Sequence, residues 1–148
     1  MGATKLTNAE ATKLIEMVKK ALIAEIDIPT RGGSKTFDVA GEAKTDLFTV
    51  SIFRGAVSRT KCNFGARIKK NNIMLLELHV SPTRVHVNPN GEKITGSHWH
   101  IYTEEYGRSQ AFLVGDINQY SFVENTLNFL ERFNVVNPPE VNMQLEII

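Results

Sequence analysis

The sequence predicts a single α+β domain, with a mostly antiparallel sheet flanked by an N-terminal and a C-terminal helix. Apolar residues recur at helical spacing near both ends of the chain, and they alternate with polar residues along several runs in between. The length of 148 residues suits one domain. We expect residues 1–137 to form that domain. Residues 138–148 are predicted as a strand or arm that belongs to the same domain or to a dimer partner.

The first helix is predicted over the segment "LTNAEATKLIEMVKKAL". Thr7 followed three residues later by Glu10 forms a capping box, a pattern typical of a helix N-terminus. Four apolar residues then share one face at helical spacing: Leu14, Ile15, Val18 and Leu22.

The middle of the chain predicts an antiparallel sheet of about five or six strands. "DLFTVSIFRG" and "AVSRTKCNF" indicate a hairpin, and "NIMLLELHV" alternates in the same way. After a turn-rich segment, "SHWHIYTEE" and "RSQAFLVG" predict another antiparallel pair.

A second helix is predicted to follow. Ser121 with Glu124 forms a capping box, and Val123, Leu127 and Leu130 supply an apolar stripe that Phe133 widens. Pro138 and Pro139 cannot continue a helix, and the alternating "VNMQLEII" predicts a last strand. That strand would either join the edge of its own sheet or cross to a partner's sheet and form a homodimer.

The composition excludes several classes of protein. A 42% hydrophobic and 22% charged chain is typical of a soluble globular protein, and no apolar run approaches the ~20 residues that a membrane span needs. Cys62 is the only cysteine, so no internal disulfide calls for an oxidising compartment. We expect a cytoplasmic protein that does not associate with membranes.

Charge is unevenly distributed although the net charge is only +1. No acidic residue occurs between Asp46 and Glu77, so this region would offer a basic surface for an anionic partner. Equally, half-exposed strands carry such residues for solubility. The candidate nucleic-acid-binding residues are Arg54, Arg59, Lys61, Arg67, Lys69 and Lys70.

The most informative stretch is "GSHWHIYTEEYG". On a strand, alternate side chains share a face, which predicts one polar row of His98, His100, Tyr102 and Glu104 and an opposite, core-facing side with Trp99. All four histidines of the chain also fall between His79 and His100. A half-exposed strand with polar residues facing water would explain the row without any chemistry.

One chemistry open to this row is metal binding. His98, His100 and Glu104 are suitable ligands for zinc, iron or manganese, and they resemble the first metal-binding motif of cupins. No histidine follows His100, whereas cupins take another histidine from a downstream motif. A different site would need a third group, for which His86 is the first choice and His79 the second. The sequence identifies neither the metal nor any other cofactor.

The other chemistry is metal-independent cleavage of RNA, which requires an acid, a base and cations around the phosphate. Histidines titrate near neutrality, so His98 and His100 would serve as base and acid. Tyr102 or Glu104 would act as an alternate or orienting group, with His86 as a further candidate catalytic residue. Trp99, if exposed, would stack on a base.

The run "NPNG" followed by "HWHIYTEEYG" resembles a widespread family of uncharacterised small bacterial and prophage proteins. Those proteins share an Asn-Pro-Asp-Gly turn, a His-x-His-Ile-Tyr strand and a Gly-Tyr-Gly turn. The resemblance implies a context of mobile elements, in which small ribonucleases and anti-defence proteins are common. We therefore expect a nucleic-acid-directed protein acting on RNA. The alternatives are a non-enzymatic inhibitor that binds another protein, and a histidine-rich metal-site protein.

Overall fold

The computed structural model describes residues 5–56, 61–114 and 121–142. In chain order its elements are α1 (Asn8–Glu16), β1 (Lys19–Ala21), β2 (Glu25–Asp27), β3 (Ser34–Ala40), β4 (Leu47–Arg54), β5 (Cys62–Ile68), β6 (Met74–Val80), β7 (Val85–Val87), β8 (Lys93–Thr95), β9 (His98–Ile101), β10 (Ala111–Leu113), α2 (Phe122–Arg132), β11 (Val135–Asn137) and β12 (Glu140–Asn142). The predicted α+β class, with a helix near each end and a mostly antiparallel sheet, is confirmed.

The main sheet contains eight strands in the order β10-β9-β6-β5-β4-β3-β1-β11. Neighbours are antiparallel, except that β1 and β11 pair in parallel at one end. The predicted number of five or six strands is wrong. The strands of this sheet that were not predicted are β1, β3 and β11. Strands β1 and β11 have three residues each, which is too short for an alternating pattern to be visible in the sequence. Strand β3 has seven residues, but only Phe37 and Val39 form a buried apolar alternation in it.

Helix α1 begins as predicted, because Thr7 and Glu10 form the complete capping box. It ends at Glu16, however, and the predicted continuation to residue 22 is wrong. The side chain of Lys19 turns inward and its ammonium donates to the carbonyl oxygens of Ile15 and Met17, which the end of the helix leaves unpaired. The chain can then continue as strand β1.

Helix α2 packs against the sheet through aromatic rings. Phe129 stacks on Phe64 of β5 and on Trp99 of β9, with ring centroids 5.8 and 6.0 Å apart. Phe133 meets Phe48 edge to face at 5.5 Å. The predicted apolar stripe is only partly right, because the side chain of Leu127 is 40% exposed. Neither described helix combines the length and apolarity that crossing a membrane requires.

The chain after the proline pair returns to its own fold. Strand β12 pairs in parallel with β2, with Val141 opposite Ile26, in a separate two-stranded sheet. The described part of the tail therefore pairs within its own chain but does not join the edge of the main sheet. The remaining apolar positions of the predicted strand lie in 143–148, outside the described residues. The homodimer through the tail stays a prediction.

The two faces of the sheet differ in chemistry. Residues such as Phe48, Phe64, Leu78 and Val80 belong to the one cluster of buried apolar side chains that also includes residues of α1 and α2. Side chains on the opposite face of β6 and β9 are polar. The β7–β8 hairpin lies above this polar face and beside β10. The Asn88 side chain donates to the carbonyl oxygen of Ala111 at 3.0 Å and accepts from its N–H at 2.8 Å, which holds the hairpin there.

Candidate metal centre

All four histidines of the chain form one cluster. The rings of His79, His98 and His100 have centroids 4.7–5.2 Å apart. The ring of His86, on β7, lies 4.7 Å from His100 and 5.4 Å from His98. The structure thus joins residues that are as many as 21 positions apart in sequence.

Sheet register explains why three of these rings meet. His98 and His100 alternate with Trp99 and therefore share the polar face of β9. His79 of β6 is the direct cross-strand partner of His98, and Glu77 is the partner of His100. One candidate ligand atom from each of His79, His98 and His100 can be chosen so that all three lie within 4.8 Å of one another.

Each ring has one nitrogen beside an oxygen acceptor. Nδ1 of His98 lies 2.9 Å from the carbonyl oxygen of Gly96, and Nδ1 of His100 lies 2.8 Å from that of Arg108. A carbonyl oxygen only accepts, so both Nδ1 atoms carry the proton and donate. In a neutral ring, this leaves the lone pair of Nε2 for another partner.

The remaining two rings follow the same pattern. Nε2 of His86 lies 3.0 Å from the carbonyl oxygen of Ser109, and Nε2 of His79 lies 3.4 Å from a carboxylate oxygen of Glu77. Protonation at Nε2 leaves Nδ1 of each neutral ring with a lone pair. Metal-binding histidines commonly donate their second ring nitrogen to a carbonyl or carboxylate in this way.

Two of the remaining nitrogens are buried and have no hydrogen-bond partner among the described residues. They are Nε2 of His98 and Nδ1 of His79. His98 is completely buried, whereas His79 is half-buried. A buried polar atom without a partner costs about 1–3 kcal/mol, so these two atoms are where the described fold leaves room for a ligand.

Burial keeps the central histidines neutral. Desolvation lowers the pKa of His98, and the nearby imidazoles of His79 and His86 lower it further. Desolvation, together with the charge that His79 would carry, lowers the pKa of His100 to about 4. Neutral imidazole is the form that coordinates a metal.

A buried carboxylate supports the cluster from one side. Burial acts to raise the pKa of Glu77, but hydrogen bonds from His79 and Arg108 outweigh this effect and hold the pKa below its usual value. Nε of Arg108 donates to Glu77 at 2.9 Å, and a second guanidinium nitrogen donates to the other carboxylate oxygen. Glu77 and Arg108 were not predicted as site residues. Alternation along "NIMLLELHV" places Glu77 on the same face as His79, which is the pattern that identifies it.

An open cavity of about 450 Å³ gives access to the cluster. His79, His86 and His100 line it together with two arginines, Arg84 and Arg108. The cluster is therefore reached from the β7–β8 side of the sheet, and a molecule that enters meets guanidinium groups beside the imidazoles.

The prediction that Tyr102 and Glu104 share the histidine face is wrong. Strand β9 ends at Ile101, so the alternation does not continue. The Tyr102 hydroxyl instead binds the backbone of Leu6, and the ring packs against the core. Glu104 is exposed in the turn that follows β9. Neither residue contributes to the cluster.

The structure divides the predicted basic residues between two ends of the sheet. Arg54 and Lys61 flank the β4–β5 connection, near the histidines. Arg67, Lys69 and Lys70 lie at the far end of β5, a distance of about 20 Å for seven residues of strand. The Lys69 ammonium pairs with Asp38, and Arg67 donates to Ser51. Arg59 lies outside the described residues.

Trp99 occupies the core side of β9, as predicted from the alternation. Its ring is half-buried and stacks on Phe129, so its described position is on the opposite face of the sheet from the histidines. A base held beside the cluster would not contact this indole.

Comparison with protein-family models matched residues 6–135 to DUF6978, a family of unknown function. The chain belongs to the DUF6978 family. The expectation of an uncharacterised family is thereby confirmed. Comparisons with curated proteins and with solved structures gave no match. All four histidines lie within the matched region, residues 6–135.

Proposed function

We propose that this DUF6978 protein binds one divalent transition metal ion, with zinc the first choice, through His79, His98 and His100. The ligand atoms are Nδ1 of His79 and Nε2 of the other two rings. Three histidine ligands and one open position are typical of catalytic zinc sites, in which water occupies the fourth place. A metal held by these three rings would lower the pKa of a bound water towards neutral, which would suit a hydrolytic reaction.

The main support for this proposal is that the two nitrogens of each ring have different surroundings. His98 and His100 each donate one nitrogen to a backbone carbonyl, and His79 places one beside a carboxylate. The other nitrogens of His79 and His98 are buried, and no residue in the described ranges gives them a hydrogen-bond partner. A cluster kept for packing alone gains nothing from buried unpaired nitrogens, whereas metal coordination satisfies them.

The geometry requires only a small adjustment. Nitrogens bound tetrahedrally to zinc at about 2.0–2.1 Å stand roughly 3.3 Å from one another. One ring nitrogen of each of the three histidines can be chosen so that all three lie within 4.8 Å of one another, so the distances between such nitrogens would have to shorten by about 1.5 Å at most on zinc binding.

The protein's own residues have defined tasks in this proposal. Glu77 orients His79, and Arg108 holds Glu77 in place from the rim of the cavity. Arg84 and Arg108 place positive charge beside the open position, where it favours an anionic substrate. His86 lies at the edge of the cluster, with Nε2 beside the carbonyl oxygen of Ser109, and is not one of the three proposed ligands.

Binding of zinc to protein purified without a histidine tag tests the proposal. Calorimetric titration and elemental analysis should give one zinc per chain. His79→Ala, His98→Ala and His100→Ala should each weaken binding by at least a hundredfold. His86→Ala is the matched control, since it removes a ring of the same cluster and should retain one zinc per chain. Sub-stoichiometric zinc in the wild type, or equal binding by His98→Ala, would contradict the proposal.

Folding of the variants has to be shown separately, because His98 is completely buried. Circular dichroism and thermal unfolding in EDTA compare the metal-free proteins. His98→Ala removes a completely buried ring and its hydrogen bond to Gly96, so this metal-free variant should be less stable than the wild type by about 2–5 kcal/mol, and zinc binding is compared at a temperature at which both are folded. If His98→Ala proves unfolded, His79→Gln takes its place, since His79 is only half-buried and glutamine is a poor zinc ligand.

Action on RNA, a prophage context and inhibition of a partner protein stay predictions. The burial of His98 and the low pKa of His100 favour a metal over the metal-independent mechanism, because a general acid must carry a proton near neutral pH. Incubation with total RNA separates the alternatives. Cleavage abolished by EDTA supports a metal-dependent nuclease, cleavage that persists in EDTA supports the metal-independent one, and intact RNA supports the inhibitor.

A further inference from the structure

A second cleft, of about 570 Å³, adjoins the histidine cluster on the polar face of the sheet. Its volume is in the range of small-molecule binding sites. The residues that matter for its chemistry include two cations, three neutral polar side chains and one aromatic ring: Lys61, Arg84, Asn63, Ser81, Thr83 and Phe53.

The sheet connects this cleft directly with the candidate metal centre. Phe53 is the cross-strand partner of Asn63, Asn63 of His79, and His79 of His98. Cross-strand partners share a face, so these four side chains form one row across β4, β5, β6 and β9. Strand spacing puts Phe53 about 10 Å from His79. A ligand of moderate size would contact both.

The cleft carries positive charge without a described counter-charge. No acidic residue is among the described residues that line it. Among all residues that the structure describes, no carboxylate forms an ion pair with Lys61 or Arg84. Arg84 also lines the cavity at the histidine cluster, so one guanidinium is shared between the two spaces.

A buried hydroxyl supplies a second, independent observation. Ser81 lines the cleft and is only 3% exposed, yet its Oγ has no hydrogen-bond partner among the described residues. Its backbone N–H is held by the Ser97 side chain at 3.0 Å, which fixes the position of the residue. An unpaired hydroxyl in a cleft that is also lined by two cations is a suitable donor to an anionic oxygen.

We propose that this cleft binds a nucleoside monophosphate, with the phosphate held by Lys61, Arg84 and Ser81 and the base against Phe53. Phosphate accepts several charge-assisted hydrogen bonds at once, which suits two cations and a hydroxyl. Phe53 is 38% exposed at the far end of the row, where an aromatic ring can stack on a base. This extends the proposed function by naming the substrate class, because the phosphate would lie beside the metal.

Titration with adenosine monophosphate by calorimetry tests the cleft, and EDTA in the buffer removes any dependence on the metal. Arg84→Gln and Lys61→Gln should each weaken binding about tenfold or more, since each loses a charge-assisted hydrogen bond. Lys70→Gln is the matched control and should bind like the wild type, because Lys70 lies at the opposite end of β5.

Two further variants separate ligand contacts from structural roles. Ser81→Ala should weaken phosphate binding several-fold without lowering the melting temperature, because Oγ has no described partner to lose. Phe53→Ala should weaken adenosine monophosphate about tenfold but leave ribose 5-phosphate unchanged, because only the former has a base to stack.

Three results would overturn the proposal: no binding of adenosine monophosphate in EDTA, equal binding by Arg84→Gln, or equal loss by Lys70→Gln. Binding of inorganic phosphate as tight as that of the nucleotide would refute the role of Phe53. The proposals for metal and cleft can fail separately, since nucleotide binding in EDTA does not require zinc and zinc titration does not require nucleotide.

Discussion

Replacing Lys19 by methionine should destabilise the fold, although Lys19 lies outside the candidate metal centre. The side chain is completely buried, and its ammonium donates to the carbonyl oxygens of Ile15, Met17 and Phe133 at 2.8–2.9 Å. It also lies 3.8 Å from the centroid of the Phe133 ring. The lysine therefore connects the end of α1 with the residue that follows α2.

The expected magnitude follows from these contacts. Each buried carbonyl left without a donor costs about 1–3 kcal/mol, and three are affected. Removal of a buried charge recovers several kcal/mol of desolvation, so we expect a net loss of about 3 kcal/mol in the free energy of unfolding. Methionine fills a similar volume, and a cavity therefore adds little to the effect.

The loss should also depend on pH. Burial lowers the pKa of Lys19 from 10.5 to about 7 in the folded protein. Between those values the unfolded chain binds the proton and the folded chain does not, so the stability of the wild type relative to Lys19→Met rises with pH in this window. The difference in the free energy of unfolding between the wild type and Lys19→Met should change by at most about 1.4 kcal/mol per pH unit. This difference should be smallest below pH 7.

Urea unfolding at pH 6 and pH 9 measures this directly. The free energies of unfolding of the wild type, Lys19→Met and Lys20→Met are obtained with one shared m value, the slope against urea concentration. Lys20 is the exposed neighbour in β1, and its replacement should change the free energy of unfolding by less than about 0.5 kcal/mol. If Lys19→Met lowers the free energy of unfolding by the same amount at both pH values, the expected effect of Lys19 protonation is absent. A difference near zero at both would refute the role of the hydrogen bonds.

Three further predictions concern the surroundings of the cluster. Glu77→Gln should weaken zinc binding about 10- to 100-fold by calorimetry, because the carboxylate that orients His79 is lost. Asn88→Ala should lower the free energy of unfolding by about 2 kcal/mol in urea, because two hydrogen bonds between the β7–β8 hairpin and β10 disappear. Tyr102→Phe should cost about 1 kcal/mol in the same assay and leave zinc binding unchanged, because its hydroxyl contacts only the backbone of Leu6.

Each of these predictions has an outcome that contradicts it. Unchanged zinc affinity in Glu77→Gln would show that the carboxylate does not position a ligand. Wild-type stability of Asn88→Ala would mean that the hairpin is held by other contacts. Weaker zinc binding by Tyr102→Phe would show that Tyr102 does contribute to the metal site.

Long alternating patterns predicted part of the central sheet. The runs that became β4 and β6 alternate over seven or eight residues, enough to reveal both period and face. The predicted run "AVSRTKCNF" overlaps β5 only at residues 62–64, and the seven-residue β3 was not predicted because only Phe37 and Val39 form a buried apolar alternation in it. Strand β1 has three residues directly after α1, and its Lys19 continues the polar pattern of the helix. Only a tertiary contact, the ammonium against the carbonyl of Phe133 more than a hundred residues away, shows that the helix has ended.

The candidate site was predicted in the same uneven way. Alternation alone places His98 and His100 on one polar face, and this part of the prediction agrees with the structure. His79 was only the second choice as the third group, because the pairing of β6 with β9 cannot be deduced from either strand alone. Tyr102 was included because the alternation was extended one residue beyond the end of the strand. Arg108 follows a turn without any periodic pattern, so nothing in the sequence connects it with Glu77.

Anomalous X-ray diffraction at the zinc edge, from crystals grown with zinc, is the most direct test of the three-histidine metal site. We expect one strong peak about 2.0–2.1 Å from Nδ1 of His79 and from Nε2 of His98 and His100. We also expect the Nδ1 atoms of His98 and His100 to keep their carbonyl acceptors. A cluster without a peak, or a zinc bound by fewer than three of these nitrogens, would contradict the proposed site.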